Sequence, residues 1–204
     1  MLKIAICDDD VKMTGRLDTV LEEIAKRNFV KIDTEVFLDG GKLEKAVEEM
    51  ADRAEIDVQE TADGVIVLCH DTSLKRVAGV NKKVSDLTLE QIKKLDVGSW
   101  FSSEYQGEQI PTLEEVMEYA KGKIDLNIEI KNLGNSSGLP EKVIELVEKH
   151  EMQEQCVITS TNRFYLKRVK AVNPEIRTGY IISAAYGNFY SDEFIDLISI
   201  RSSF

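Results

Sequence analysis

Hydrophobic and polar positions along this 204-residue chain follow two patterns that alternate from one end to the other. Short apolar segments rich in β-branched residues are typical of strands buried on both faces. Between them, apolar positions recur every three or four residues, as in amphipathic helices. The pattern predicts eight strands: Leu2 to Cys7, Lys31 to Phe37, Ala54 to Val58, Val65 to His70, Leu126 to Ile130, Cys156 to Ser160, Thr178 to Ile182 and Leu197 to Ile200. Strands alternating with helices predict an α/β fold with a parallel sheet.

Helices are predicted between most of these strands, and one connection is unusually long. Two helices have apolar faces near the start of the chain, the first from Met13 to Ile24 and the second from Leu43 to Met50. Two later ones run from Glu141 to Lys149 and from Arg163 to Val172, where a following Asn-Pro pair ends the helix. The stretch from Thr72 to Gln109 holds only a short helix, and connections of that length usually carry function.

Charge narrows the classes of partner. Asp and Glu number 37 against 26 Lys and Arg, which leaves a formal net charge of -11, and no basic segment is interleaved with aromatic residues. We therefore expect no nucleic-acid partner and no grip on an anionic membrane, whereas a metal cation suits the chain. Its longest apolar runs have strand length, so no membrane insertion is expected. Met1 leads directly into a strand-like segment, which predicts a cytoplasmic protein without a signal peptide. Cys7, Cys69 and Cys156 are expected to be buried, reduced thiols.

Ionisable side chains cluster where predicted strands end. Glu55 and Asp57 are two residues apart and therefore project to the same side of their strand, as do Glu129 and Lys131 later in the chain. The strand from Val65 ends at His70, whose imidazole is expected to face the same way as Ile66 and Leu68. Each acid alone is more often a solvated rim residue or a helix cap. Their convergence at the carboxyl ends of parallel strands, where α/β enzymes keep their sites, predicts one functional cluster. The remaining histidine, His150, is expected to face solvent after a charged helix.

From about Ala54 onward the sequence resembles the glycerophosphodiester phosphodiesterase family. The resemblance rests on these motifs, in the family's order and spacing: Glu55-Ile56-Asp57-Val58-Gln59, Asp63-Gly64, His70-Asp71, Val84-Ser85-Asp86-Leu87-Thr88, Gly98-Ser99-Trp100-Phe101, Ile110-Pro111-Thr112-Leu113-Glu114-Glu115-Val116 and Asn127-Ile128-Glu129-Ile130-Lys131. It implies a TIM-like (β/α)8 barrel that hydrolyses a small glycerophosphodiester to glycerol 3-phosphate and an alcohol with a divalent cation, Mg²⁺ or Ca²⁺.

The same resemblance implies a role for each matching residue. The metal ligands match Glu55, Asp57 and Glu129, the general acid matches His70, and a phosphate-binding base matches Lys131. The segment lining the substrate mouth matches Trp100 and Phe101. From the residues alone, the two aromatic side chains would be a hydrophobic plug under a long loop.

The first fifty residues depart from that family. Its His-Arg-Gly strand and Pro-Glu-Asn-Thr segment have no counterpart here, and His70 and His150 are the chain's only histidines. Residues 1–53 instead resemble a response-regulator receiver, in which the acids after the first strand, Asp8 and Asp9, match a magnesium site. An acidic cluster there also fits the N-cap of a helix.

These observations predict a chimera of two fragments, residues 1–53 and 54–204, fused into one domain. A receiver begins with strand order 2-1-3, so its first strand would lie beside Ala54 to Val58 and its second would fill the barrel position left empty at the far end. Asp8 and Asp9 would then join Glu55, Asp57 and Glu129 around one cation.

Two functions stay open at this stage. One is a metal-dependent phosphodiesterase, impaired because the second imidazole is missing. The other is a non-catalytic chimeric scaffold of flavodoxin-like and TIM-barrel fragments. A phosphorylatable receiver is disfavoured, since the sequence after Asp52 no longer follows that family.

Overall fold

In a computed structural model of the chain, the structure describes residues 2–7, 32–37, 52–131, 138–183 and 195–201. The segments 2–7, 32–37, 182–183 and 197–201 are described by their backbone alone. The two helices predicted before Asp52 lie outside the described residues, and so do Asp8 and Asp9.

The described strands form a single sheet in which all but one run parallel. In chain order they are β1 (Leu2–Cys7), β2 (Ile32–Phe37), β3 (Arg53–Glu60), β4 (Ile66–Leu68), β5 (Asp125–Ile130), β6 (Cys156–Ser160), β7 (Arg177–Ser183) and β8 (Leu197–Arg201). The parallel strands follow the order β2-β1-β3-β5-β6-β7-β8. Because β2 and β8 end this ladder and do not pair with each other in the described part of the chain, closure of the barrel stays a prediction.

Strand β4 corrects one prediction. We expected a parallel barrel strand from Val65 to His70, but β4 ends at Leu68 and pairs with β3 in antiparallel fashion. Only residues 61–65 separate the two strands, whereas a parallel crossover needs about a dozen residues or more. The connection is a tight turn in which Gly64 adopts a φ of 84°, a left-handed conformation that glycine tolerates best. The parallel part of the described sheet therefore has one strand fewer than predicted.

Five described helices accompany the strands. They are α1 (Lys75–Ala78), α2 (Leu89–Ile92), α3 (Leu113–Ala120), α4 (Leu139–Lys149) and α5 (Arg163–Val172). Helix α3 begins with a capping box, in which the Thr112 hydroxyl accepts from the Glu115 amide and the Glu115 carboxylate accepts from the Thr112 amide. No helix within the described ranges is long and apolar enough to cross a membrane.

The core lies between the helices and one face of the sheet. Along β3 and β5 the apolar side chains alternate with polar ones and enter the same buried cluster as the inner faces of α3, α4 and α5. This cluster includes Ile56, Val58, Leu126, Ile128, Met117, Ile144 and Val169. A second, smaller cluster lies under the long connection and includes Leu74, Val84, Leu87, Ile92 and Ile110. The polar positions of β3 and β5 are consequently left to share the opposite face.

Candidate active site

Three carboxylates meet on the polar face of β3 and β5. The parallel register places Asp57 directly beside Glu129, and Glu55 precedes Asp57 on the same side of its strand. One carboxylate oxygen from each of the three lies within 4.8 Å of the others. We call Glu55, Asp57 and Glu129 the carboxylate row. The sequence prediction that these acids converge is confirmed.

Lys131 completes this cluster. Its Nζ lies 2.7 Å from Asp57 Oδ1 and 3.1 Å from Glu129 Oε1. The side chains of Lys131, Asp57 and Glu129 are only 9%, 10% and 2% exposed. A buried charge is costly unless it is paired, so the ammonium and the two carboxylates stabilise one another here. Lys131 thus lies where the sequence predicted it, within the cluster.

The carboxylate row fits a hard divalent cation. Three carboxylates (-3) and one ammonium (+1) give the cluster a formal charge of -2. Carboxylate oxygens are the ligands that Mg²⁺ and Ca²⁺ prefer. Asp57 Oδ1 is buried and has no well-aligned hydrogen bond among the described residues; its contact with Lys131 is an ion pair without that alignment. A cation that binds this oxygen must therefore share it with the Lys131 ammonium or displace that ammonium.

Three further polar side chains near the row were missed by the sequence analysis. Thr159 on β6 is next to Glu129 in the strand register, and Asn127 is next to Glu55. Thr159 Oγ1 and Asn127 Oδ1 are buried and lack hydrogen-bond partners within the described part of the chain. Asn127 continues the polar alternation of β5, which is the signal that could have identified it, whereas the position before Thr159 on the same side of β6 is the apolar Val157. The third, Gln59, follows Asp57 on the same side of β3.

Gln59 positions the segment that carries His70. Its amide Nε2 donates to the backbone oxygens of Cys69 at 2.7 Å and Asp71 at 2.8 Å. The backbone N–H of Cys69 in turn donates to the backbone oxygen of Asp57 at 3.0 Å. These bonds fix the backbone on both sides of His70 next to the carboxyl end of β3, beside the carboxylate row.

His70 is exposed, contrary to the orientation predicted for it. Because β4 ends at Leu68, His70 lies in the loop beyond the strand, and its side chain is 38% exposed. Its Nδ1 is 3.2 Å from Asp71 Oδ1, and Arg76 donates to both oxygens of that carboxylate at 2.8 and 2.7 Å. Burial alone would raise the pKa of Asp71, but the hydrogen bonds from Arg76 and His70 outweigh it and lower that pKa. The resulting ionised carboxylate orients the imidazole.

Of the predicted aromatic pair, Trp100 lines the same pocket as His70. The Arg76 guanidinium lies 4.9 Å from the centre of the Trp100 ring, and Trp100 meets Phe101 edge to face with ring centres 5.9 Å apart. The pocket is lined by His70, Arg76 and Trp100 together with Leu68, Cys69, Asp71, Val77, Val97, Ile110 and Pro111. The structure therefore brings Trp100 and His70 to one pocket and places Phe101 behind the tryptophan.

The loop that carries Trp100 and Phe101 is held by a tight backbone turn. Asp96 accepts hydrogen bonds from Ser99, through its hydroxyl and its amide, and from the Gly98 amide, and these bonds lower the pKa of the Asp96 carboxyl. A Cβ atom at Gly98 would lie 1.8 Å from the backbone oxygen of Tyr105. Only glycine fits there without moving the loop.

Two other predictions can be compared with the structure. Cys69 and Cys156 are free thiols; Cys156 is buried as predicted, whereas Cys69 is only partly buried. Burial raises the pKa of each thiol to about 12, which makes both poorly reactive. Only the backbone of Cys7 is described. The prediction for His150 was wrong, because its side chain is 12% exposed and its Nε2 lies 3.5 Å from Glu114 Oε1. A neighbour from α3 covers it, which spacing within the chain could not reveal.

Comparison with known proteins decides the family. The model of the glycerophosphoryl diester phosphodiesterase family matches residues 41–199. The chain belongs to this family. A glycerophosphodiester phosphodiesterase of Caldanaerobacter subterraneus is 40% identical over 139 residues, which is 67% of this chain and 57% of that protein. A second such enzyme, from Bacillus subtilis, is 34% identical over 155 residues, covering 69% of this chain and 53% of the relative.

Solved structures give the same family and a TIM-barrel-like α/β fold. A phosphodiesterase of Oleispira antarctica, in complex with the product sn-glycerol-3-phosphate, is 35% identical with a TM-score of 0.65, covering 72% of this chain and 61% of that chain. A glycerophosphodiester phosphodiesterase of Agrobacterium tumefaciens is 21% identical with a TM-score of 0.66 over 98% of this chain and 96% of that chain, a likeness of fold alone. This chain spans a little over half the length of the curated relatives named above.

Proposed function

We propose that this chain is a metal-dependent phosphodiesterase that hydrolyses a glycerophosphodiester to glycerol 3-phosphate and an alcohol. The carboxylate row with Lys131, beside the pocket of His70, is the observation that carries the proposal. The family supports the substrate class, since the Oleispira relative holds sn-glycerol-3-phosphate as its product.

Each residue of the cluster has a chemical task in this proposal. Glu55, Asp57 and Glu129 hold the cation, which when bound neutralises charge on the phosphoryl oxygens. Lys131, already charged and directed at the row, binds the phosphoryl group once the substrate enters. Placement of Asp8 and Asp9 beside the same cation remains part of the proposal, because both lie outside the described residues.

His70 delivers the proton that the departing alcohol requires. Its Nδ1 lies 3.2 Å from the ionised Asp71, which orients the ring and leaves Nε2 to donate a proton to the leaving oxygen. Trp100 flanks the alcohol end of the substrate in the same pocket, and Phe101 packs against the tryptophan ring. The cation is Mg²⁺ or Ca²⁺ in this proposal, because all the proposed ligands are carboxylate oxygens.

We also propose that hydrolysis is slow. The sequence has two histidines, and the second, His150, is held beside Glu114 on the helices. No second imidazole therefore shares the proton transfer with His70, and the loss of one acid-base group costs about 10² to 10⁴ in rate.

A non-catalytic scaffold made from two α/β fragments is the second candidate. The observation that favours it is the strand order β2-β1-β3, which is the order at the start of a flavodoxin-like sheet. In that case the chain would bind a cation at the carboxylate row without turning over a phosphodiester, in the cytoplasm or elsewhere.

The two candidates are separated by measuring glycerol 3-phosphate release from glycerophosphocholine. The chain is freed of metal with a chelator and then supplied with Mg²⁺ or Ca²⁺. We expect slow, cation-dependent turnover that Glu55→Gln abolishes and Glu60→Gln preserves. Glu60 is the matched control, because it lies on the same strand but pairs with Lys142 away from the row.

Two results would contradict the proposal. Turnover that survives Glu55→Gln would remove the carboxylate row as the site. Cation binding to the wild-type chain with no turnover at any cation concentration would favour the scaffold.

A further inference from the structure

A second group of potential metal ligands lies on the helices, separate from the carboxylate row. Glu114 and Glu118 are one turn apart on α3, and His150 directly follows α4. One ligand atom from each of the three lies within 4.8 Å of the others. We call these residues the helix cluster. None of them belongs to the strand ends that carry the proposed phosphodiesterase chemistry.

The imidazole of His150 is the observation that distinguishes this cluster from a group of surface acids. Its side chain is 12% exposed, and its Nε2 atom is buried without a hydrogen-bond partner among the described residues. The nearest carboxylate oxygen, Glu114 Oε1, is 3.5 Å away, beyond the roughly 2.7 to 3.2 Å of an ordinary hydrogen bond. The buried ring nitrogen thus has only a long ion-pair contact with Glu114, and a ligand atom of Glu118 lies within 4.8 Å of the same group.

The donor set selects a class of metal. One imidazole nitrogen with two carboxylate oxygens suits Zn²⁺ and similar transition metals, whereas Mg²⁺ and Ca²⁺ prefer oxygen alone. Ligands bound at about 2.0 to 2.1 Å from Zn²⁺ stand roughly 3.3 Å apart in a tetrahedral site. To reach that spacing from distances of up to 4.8 Å, the two glutamate side chains would have to rotate toward the imidazole.

One cation already competes for the cluster. Lys149 Nζ donates to Glu114 Oε1, and this bond is the main reason that the pKa of Glu114 is lowered. The Lys149 side chain is 61% exposed, so it can leave for solvent when a metal binds. The lysine keeps the carboxylate ionised, and removing the lysine should favour the metal.

We propose that Glu114, Glu118 and His150 form a transition-metal site of the zinc class that links α3 to α4, with water as the remaining ligand. The site is distinct from the row of Glu55, Asp57 and Glu129, and it does not depend on the proposed hydrolysis. Metal binding would therefore connect α3 to the end of α4.

The test uses the full chain with Mg²⁺ in excess, so that the carboxylate row is satisfied before ZnCl₂ is titrated. Nitrogen-15 spectra of the imidazoles follow binding directly, because the chain has two histidines and His150→Gln assigns them. We expect Zn²⁺ to shift the Nε2 signal of His150. Calorimetry should show a Kd at least about tenfold weaker in Glu118→Gln and a tighter Kd in Lys149→Gln.

Glu90→Gln is the matched control, since it removes an exposed helical carboxylate that pairs with Lys94 away from the cluster and should leave the Kd unchanged. Glu118 is exposed, so its substitution decides the question even where His150→Gln disturbs folding. Zn²⁺ that shifts only the His70 signals, or a Kd equal in wild type and Glu118→Gln, would overturn the proposal. Turnover of glycerophosphocholine plays no part in either result.

Discussion

The side chain of Lys131 shows how one residue balances a site built to receive charge. It is the cation next to both Asp57 and Glu129, in a place where side chains are nearly inaccessible. Without it, two adjacent carboxylates would face each other with little solvent to screen them. The stability of the metal-free chain therefore depends on this ammonium.

We predict that Lys131→Met lowers the free energy of unfolding by about 3 to 5 kcal/mol in the presence of a chelator, because a buried ion pair loses one partner. Added Mg²⁺ should restore part of the loss, since a bound cation replaces the missing charge. Urea unfolding, with and without Mg²⁺, measures both effects.

Lys142→Met is the control for this prediction. Lys142 pairs with Glu60, but its side chain is 42% exposed, so its loss should cost less than about 1 kcal/mol and should not respond to Mg²⁺. Equal losses for the two variants would show that Lys131 does not compensate the row.

At the scale of elements, the loop from Gly98 to Tyr105 sets the position of the aromatic side chains. Its turn brings the backbone of Gly98 so close to Tyr105 that no Cβ fits. The rings of Trp100, Phe101 and Tyr105 then follow one another at 5.9 and 5.7 Å. The shape of the pocket near His70 depends on this one glycine.

We predict that Gly98→Ala displaces the loop and raises the KM for glycerophosphocholine, with a stability loss of about 1 to 3 kcal/mol from overpacking. Trp100 is the only tryptophan in the chain, so its fluorescence reports the displacement directly. Gly138→Ala is the comparison variant, because a Cβ there meets nothing within 4 Å. An unchanged Trp100 emission maximum in Gly98→Ala would contradict the prediction.

The elements also show what sequence patterns determine and what they leave open. Alternation along β3 and β5 predicted that Glu55 and Asp57 share one side of their strand and that Glu129 and Lys131 share one side of theirs, because strand geometry decides which side a residue faces. Helix α5 runs from Arg163 to Val172, as predicted, and ends where Asn173-Pro174 follows. These features depend on neighbours in the sequence.

Features that depend on tertiary neighbours were predicted less well. The short apolar run at β4 is compatible with either strand direction, and only the length of the turn before it decides. His150 is covered by a residue of α3 that lies far from it in the sequence. The sequence indicates no role for Gln59 or Thr159, because Gln59 contacts the loop after β4 and Thr159 lies beside Glu129 only in the folded sheet.

At the scale of the whole molecule, the carboxylate row joins the two strands that carry it. A cation bound there contacts both β3 and β5. It therefore binds the folded chain and not the unfolded chain. It should therefore stabilise the fold by RT ln(1 + [L]/Kd), about 2.7 kcal/mol at a hundred times Kd.

We predict a single thermal transition that moves up by about 5 to 11 °C in saturating Mg²⁺ or Ca²⁺. Calorimetry of wild type and Glu129→Gln tests this, and the variant should show almost no shift. A wild-type transition indifferent to both cations would mean that the row binds neither, and two separate transitions would mean that the chain does not fold as one unit.

The register between β3 and β5 has a further consequence, for the order of events during folding. Paired residues on these strands, such as Arg53 and Asp125, are 72 positions apart in the chain. A loop of that length must close before any cation finds its ligands, and such non-local contacts form late. We therefore expect Mg²⁺ to slow unfolding while leaving the refolding rate unchanged, which stopped-flow measurements in urea would reveal. The cation would stabilise the native sheet after it has formed and would not guide its formation.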